Sequence, residues 1–158
     1  MRSQLIIIFL LFGHLPLIAQ HTYSGTGEID SIYSQVLDEW REFYVRLPEY
    51  YATDTSQTYP VTYILDGEKL LPTLSNIHDF YSGGFIPEMI LIGISNEKNR
   101  STNLIPAKSD DNAADFLDFI ESELIPHIEA EYRVANYRTL IGHSYGGLFT
   151  IYSLINRP

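Results

Sequence analysis

The chain has 158 residues, 45% hydrophobic and 19% charged, a balance that fits one globular domain with a real core and excludes a disordered chain. Its formal net charge is -10, and its Lys and Arg are scattered. No basic patch is present to neutralise phosphates, so neither nucleic acid nor an anionic membrane surface is expected as a partner. With no cysteine, the chain has no disulfide framework, no thiolate metal site and no cysteine to lipidate.

Met1-Arg2 followed by the apolar run Leu5–Phe12 and the small residue Ala19 has the form of a signal peptide over residues 1–19. The run is short for a membrane span and is broken by Gly13 and Pro16. An exported protein of the bacterial periplasm or medium is expected, with no membrane partner after cleavage. Residues 20–31, rich in Ser, Thr and Gly, read as a loose leader, and 32–158 as the folded domain.

Within that domain, Arg41–Pro48 alternates, placing Phe43, Val45 and Leu47 on one face of a half-exposed antiparallel strand that Pro48 ends. A polar loop over 50–59 follows. Val61–Leu65 and Met89–Ile94 are continuously apolar and β-branched, as strands covered on both faces are. Between them Lys69–Tyr81 reads as a helix closed by Gly83-Gly84. Ser109–Asn112 supplies helix-start chemistry, and Phe116, Leu117, Ile120, Leu124 and Ile128 recur at helical spacing. Pro126 should kink or end that helix, or begin a second one. Arg138–Ile141 is a further short strand, and Leu148–Ile155 a buried helix. Alternating strands and helices predict a parallel α/β sheet.

The chemistry concentrates at Gly142-His143-Ser144-Tyr145-Gly146-Gly147, between that last strand and helix. Strand, tight turn and helix with serine at the apex form the nucleophile elbow of an α/β hydrolase. The turn exposes the Ser144 hydroxyl. Gly142 and Gly146 are expected where the flanking residues crowd together, and the helix start favours developing negative charge. The Tyr145 amide is the natural first oxyanion donor. The loop after an early parallel strand supplies a second in this architecture, and Gly67 and Glu68 sit there, although Asp66-Gly67 is also an ordinary turn signal. His143 should point away from the serine and pack at the core or rim. His78 and His127 would serve as bases only in a different fold order, and no histidine follows Ser144. The acidic pairs Asp110-Asp111, Glu121 with Glu123, and Glu129 with Glu131 look like solvated helix faces. No metal site and no cofactor are expected.

Tyr59–Gly67, Ile86–Ile94, and Glu123–Ile128 with Tyr132-Arg133 and Tyr137–Gly147 resemble the putative-esterase family of α/β hydrolases. The family includes siderophore esterases, esterase D-like enzymes and carbohydrate acyl esterases. The resemblance runs from about Val36 to Pro158 and covers the N-terminal half of the family domain. It implies a mostly parallel sheet with flanking helices, which the chain follows as far as the elbow helix. It implies Ser144 as nucleophile, Tyr145 as one oxyanion donor, Gly67 or Glu68 as the other, and a triad acid and histidine beyond Pro158. Asn103 and Ile105 stand where relatives commonly carry an acid and a threonine, which puts the local polar network in question. The expected function is an exported serine hydrolase acting on carboxylic esters. An inactive binding module and an acyltransferase on the same scaffold are the alternatives. Substrate and oligomeric state are not legible.

Overall fold

The computed structural model describes residues 27–106 and 112–157. The signal segment and Asp110-Asp111 therefore lie outside the described residues. Among the described residues, five strands form one sheet: β1 (Glu28–Ser34), β2 (Glu39–Arg46), β3 (Tyr59–Leu65), β4 (Ile90–Ile94) and β5 (Val134–Ile141), in the order β1-β2-β4-β3-β5. β1 and β2 form an antiparallel hairpin, and β2 runs antiparallel to β4. β3 lies between β4 and β5, parallel to both. The expected α/β-hydrolase sheet is present as three parallel strands extended by that hairpin.

Alternation explains the hairpin. Phe43 and Val45 are buried on one face of β2, while Tyr44 joins the cluster on the other. β3 and β4 are almost wholly apolar, Thr62 excepted, because both of their faces are covered. On one side Val61, Tyr63, Leu65 and the β4 isoleucines Ile90, Ile92 and Ile94 meet Phe116, Leu124, Ile128 and Phe149. Those come from α3 (Asn112–Phe119), a π-helical turn (Ile120–Leu124), α4 (Ile125–Glu131) and α5 (Tyr145–Asn156). On the other side Ile64 and Leu91 meet Leu71 of α1 (Gly67–Ser82).

One expectation changes and another resolves. The leader does not reach residue 31: Glu28–Ser31 is strand, in register with Glu42–Val45, because the ladder satisfies its backbone without any need for apolar alternation. Pro126 begins a second helical segment, the other of the two expected outcomes: it stands in the first turn of α4. It follows the π turn, where Ile125 N donates to Ile120 O one residue further back than in an α-helix. That shift accommodates a residue with no N–H of its own.

The polar network around Asn103 is intact. The Arg41 side chain is buried with its guanidinium 5.1 Å and 5.8 Å from the Phe116 and Phe119 ring centres. It donates to Glu39 Oε1 at 2.8 Å and to the Ser95 carbonyl at 2.9 Å. With its amide oxygen turned inward, Asn103 accepts from Arg41 Nη1 and Nη2 at 3.1 and 3.3 Å. Glu39 thus provides the charge that an acid at position 103 would otherwise bring.

Candidate active site

β3, β4 and β5 end together at Leu65, Ile94 and Ile141, and the chemistry-bearing residues gather at this carboxyl end. After β5 the chain turns through Gly142, His143 and Ser144 directly into α5. Ser144 has φ 57° and ψ -116°, a positive-φ conformation outside the left-handed helical well that costs a non-glycine residue about 1–3 kcal/mol and is held by its surroundings. The Gly146 amide donates to the His143 carbonyl at 3.0 Å, and the Leu148 amide to the Ser144 carbonyl at 3.1 Å. Tyr145 opens α5, so its own amide has no carbonyl one turn back and projects from the positive end of the helix.

A Cβ on Gly142 would lie 2.2 Å from the Gly146 carbonyl oxygen, which no side chain tolerates. Gly146 differs from expectation. A Cβ there would meet Leu65 Cβ at 3.4 Å, an ordinary contact, and on Gly147 its nearest neighbour would be the Gly142 oxygen at 3.5 Å. The crowding falls on one glycine, because the Gly146 Cα faces β3 while its carbonyl faces Gly142.

The second loop leaves β3 through Asp66, left-handed at φ 53°, and opens α1 with Gly67 and Glu68. The amides of Gly67 and Glu68 are the first two of the helix and likewise lack intrahelical acceptors. Gly67 packs backbone to backbone on Gly93 of β4: a Cβ on Gly67 would lie 2.3 Å from the Gly93 carbonyl carbon. Asn96 braces the loop reciprocally. Its Oδ1 accepts from the Asp66 amide at 3.1 Å, and its own amide donates to Glu68 Oε2 at 3.2 Å. Arg100, which opens α2 (Arg100–Leu104), holds the Asp66 carboxylate in a fork, Nε to Oδ1 at 2.7 Å and Nη2 to Oδ2 at 2.8 Å. Hydrogen bonding to Asp66 raises the Arg100 guanidinium above its ordinary value.

The structure therefore brings Ser144, Tyr145, Gly67 and Glu68 to one end of the sheet, as the sequence motifs predict. Asp66, Asn96 and Arg100 complete the arrangement and were not among the predicted site residues. No local signal could have joined them, since Asp66 and Arg100 stand 34 residues apart.

Of the described histidines, His143 lies in the elbow itself, while His78 and His127 belong to α1 and α4. His143 is exposed on the rim, engaged through its carbonyl. His78 is buried, and its Nε2 accepts from the Met89 amide at 3.1 Å. Met89 immediately precedes β4, so His78 sits at the opposite end of the sheet from the elbow, beside a cleft of about 420 Å³ lined by Arg46, Asp79 and Glu88. The His127 ring meets the Phe43 ring edge-on at 5.8 Å. Among the described residues no group of three or more His, Asp or Glu is arranged to hold a metal ion.

Comparison with known proteins gives the same fold and a family. The chain is 33% identical over 119 residues to the siderophore triacetylfusarinine C esterase of Aspergillus fumigatus, covering 63% of this chain and 40% of that one. It is 30% identical over 127 residues to the ferri-bacillibactin esterase BesA of Bacillus subtilis, covering 63% and 44%. The crystal structure of an IroE-like serine hydrolase from Shewanella oneidensis superposes with a TM-score of 0.75 at 35% identity, over 83% of this chain and 47% of that one. The chain spans about half the length, or less, of the curated relatives it matches. The family model described as "Putative esterase" matches residues 34–158, and the chain belongs to that esterase family.

Proposed function

We propose that this chain carries the nucleophile and oxyanion hole of an exported serine esterase acting on carboxylic esters. The observation that carries the reading is Ser144 held at φ 57° on the amino end of α5, which packs at Gly146 beside Leu65 and Asp66, where a second helix starts at Gly67. Ser144 Oγ attacks the acyl carbon, and the carbonyl oxygen takes the negative charge. Backbone amides at two helix starts, Tyr145 on one side and Gly67 or Glu68 on the other, receive that charge with little reorganisation. The Ser144 proton needs a base. His78 sits at the other end of the sheet and the His127 ring packs on Phe43, so the triad histidine and its acid are proposed to come from residues outside this chain. Since two relatives are named for siderophore esters, small-molecule esters of that kind are the proposed substrate class.

Fluorophosphonate labelling of the protein from its own source, followed by mass spectrometry of the Ser144-containing tryptic peptide, tests the reading. Label on Ser144, lost in Ser144→Ala, is expected. An unlabelled protein that turns over no ester would leave a non-catalytic binding module in its place. Product analysis with added alcohols separates hydrolysis from acyl transfer.

A further inference from the structure

Arg100 is committed at three points around the elbow. Besides its fork to Asp66, its Nη2 donates toward the His143 carbonyl at 3.4 Å. Its guanidinium carbon sits 5.1 Å from the Tyr145 ring centre. Its side chain is 29% exposed, whereas that of Asp66 is 5% exposed.

These contacts join loops that leave different strands. The β3–β5 ladder ends at Ile64 and Ile141, before either loop begins, so strand pairing does not hold them to each other. An oxyanion hole with one amide from each loop requires their separation to be fixed, because a donor displaced by about 1 Å loses most of its effect. Asp66 is also the residue whose left-handed backbone aims Gly67 and Glu68, so whatever holds its carboxylate sets the direction of those amides.

We infer that Arg100 is a positioning residue that locks the Asp66–Glu68 loop against the Ser144 elbow through the Asp66 carboxylate, without contacting the ester. A planar fork suits this task, since two parallel bonds fix orientation as well as distance. Its charge is already matched by a buried carboxylate, which leaves it poorly placed to bind an anionic substrate. The inference rests on the esterase reading for its kinetic consequence but not for its structural one.

The test uses the protein expressed from its own gene, with p-nitrophenyl butyrate as substrate and amide hydrogen exchange over residues 64–70 and 142–148. Arg100→Met keeps the stem against Tyr145 but leaves the Asp66 carboxylate buried and unpaired. kcat should fall about 10²-fold or more with KM within about twofold, and exchange should quicken in both segments. Adding Asp66→Asn to Arg100→Met removes the orphaned charge without restoring the fork, so kcat should stay within about threefold of the single variant, and recovery to near wild type would assign the loss to the charge and overturn the inference. Arg100→Lys, a point charge without a fork, should fall between. If Arg100→Met does not fold, the double variant and the lysine variant carry the same comparison. A raised KM with unchanged kcat would make Arg100 a substrate ligand and overturn the inference, as would unchanged exchange in either segment. If the wild-type protein is inert and Ser144 unlabelled, the esterase reading fails, while the exchange comparison still decides whether Arg100 couples the loops.

Discussion

Gly142 and Gly146 face each other across the elbow so closely that the carbonyl oxygen of Gly146 occupies the place of a Gly142 side chain, 2.2 Å from where its Cβ would stand. The contact is one-sided, and the two glycines of the motif therefore carry different constraints.

Gly142→Ala forces backbone apart at the turn that strains Ser144, and should cost about 4 kcal/mol or more, or prevent folding. Gly146→Ala adds a methyl at ordinary contact distance from Leu65 and replaces a helical glycine, a change that by itself favours the helix by about 0.5–1 kcal/mol. Its net effect should lie within about 1 kcal/mol of zero, with Ser144 labelling retained. Denaturant midpoints of the two variants check this. Equal losses would show that both glycines are crowded alike.

The alkaline limb of stability should depend on Tyr44. Burial, then its hydrogen bond to Glu42, pushes the Tyr44 phenol from 10.0 up to about 12, and burial raises Tyr63 as well. Below the ordinary tyrosine range both folded and unfolded chains hold these protons, and the contribution is complete. Above it the unfolded chain loses protons first, so stability falls as pH rises toward about 12. Tyr44→Phe removes one such group. Its melting temperature should match wild type near neutrality and exceed it in the alkaline window. A variant that tracks wild type throughout would exclude Tyr44 as a contributor.

The outer face of α5 is apolar and open: Ile151, Leu154 and Ile155 are 60%, 70% and 73% exposed. It lies beside β5, which among the described residues has a free edge. Expressed as these 158 residues, the protein should self-associate through this region. Ile151→Glu with Leu154→Lys should shift its sedimentation toward monomer without altering the far-ultraviolet circular dichroism. A wild-type chain that sediments as a monomer at every concentration would refute this.

Much of the architecture was legible because its signals are local. Period-two alternation marked β2, unbroken apolar runs marked β3 and β4, and the glycine-flanked serine marked the turn into α5. Glu28–Ser31, the first part of β1, reads as leader because its edge position is fixed by pairing with β2, and these residues carry little apolar patterning. The π turn before Pro126 was hidden for a related reason: a one-residue change of hydrogen-bond register leaves helical spacing nearly intact. Asn103 looked like a broken network, yet Arg41 draws its charge partner from Glu39, on its own strand.

By itself the sequence determined the alternation of strands and helices, the position of Ser144 at a strand-to-helix turn, and the candidate amides at Tyr145, Gly67 and Glu68. These depend on residue types at fixed short spacing, where backbone sterics and helix geometry act directly. Only the tertiary structure decided that Asp66 turns left-handed into Gly67 and Glu68, that Arg100 and Asn96 hold Asp66, and that Gly67 must meet Gly93 without side chains. Such partners converge because parallel strands end together, and that convergence is a property of the assembled sheet which no short stretch of chain encodes.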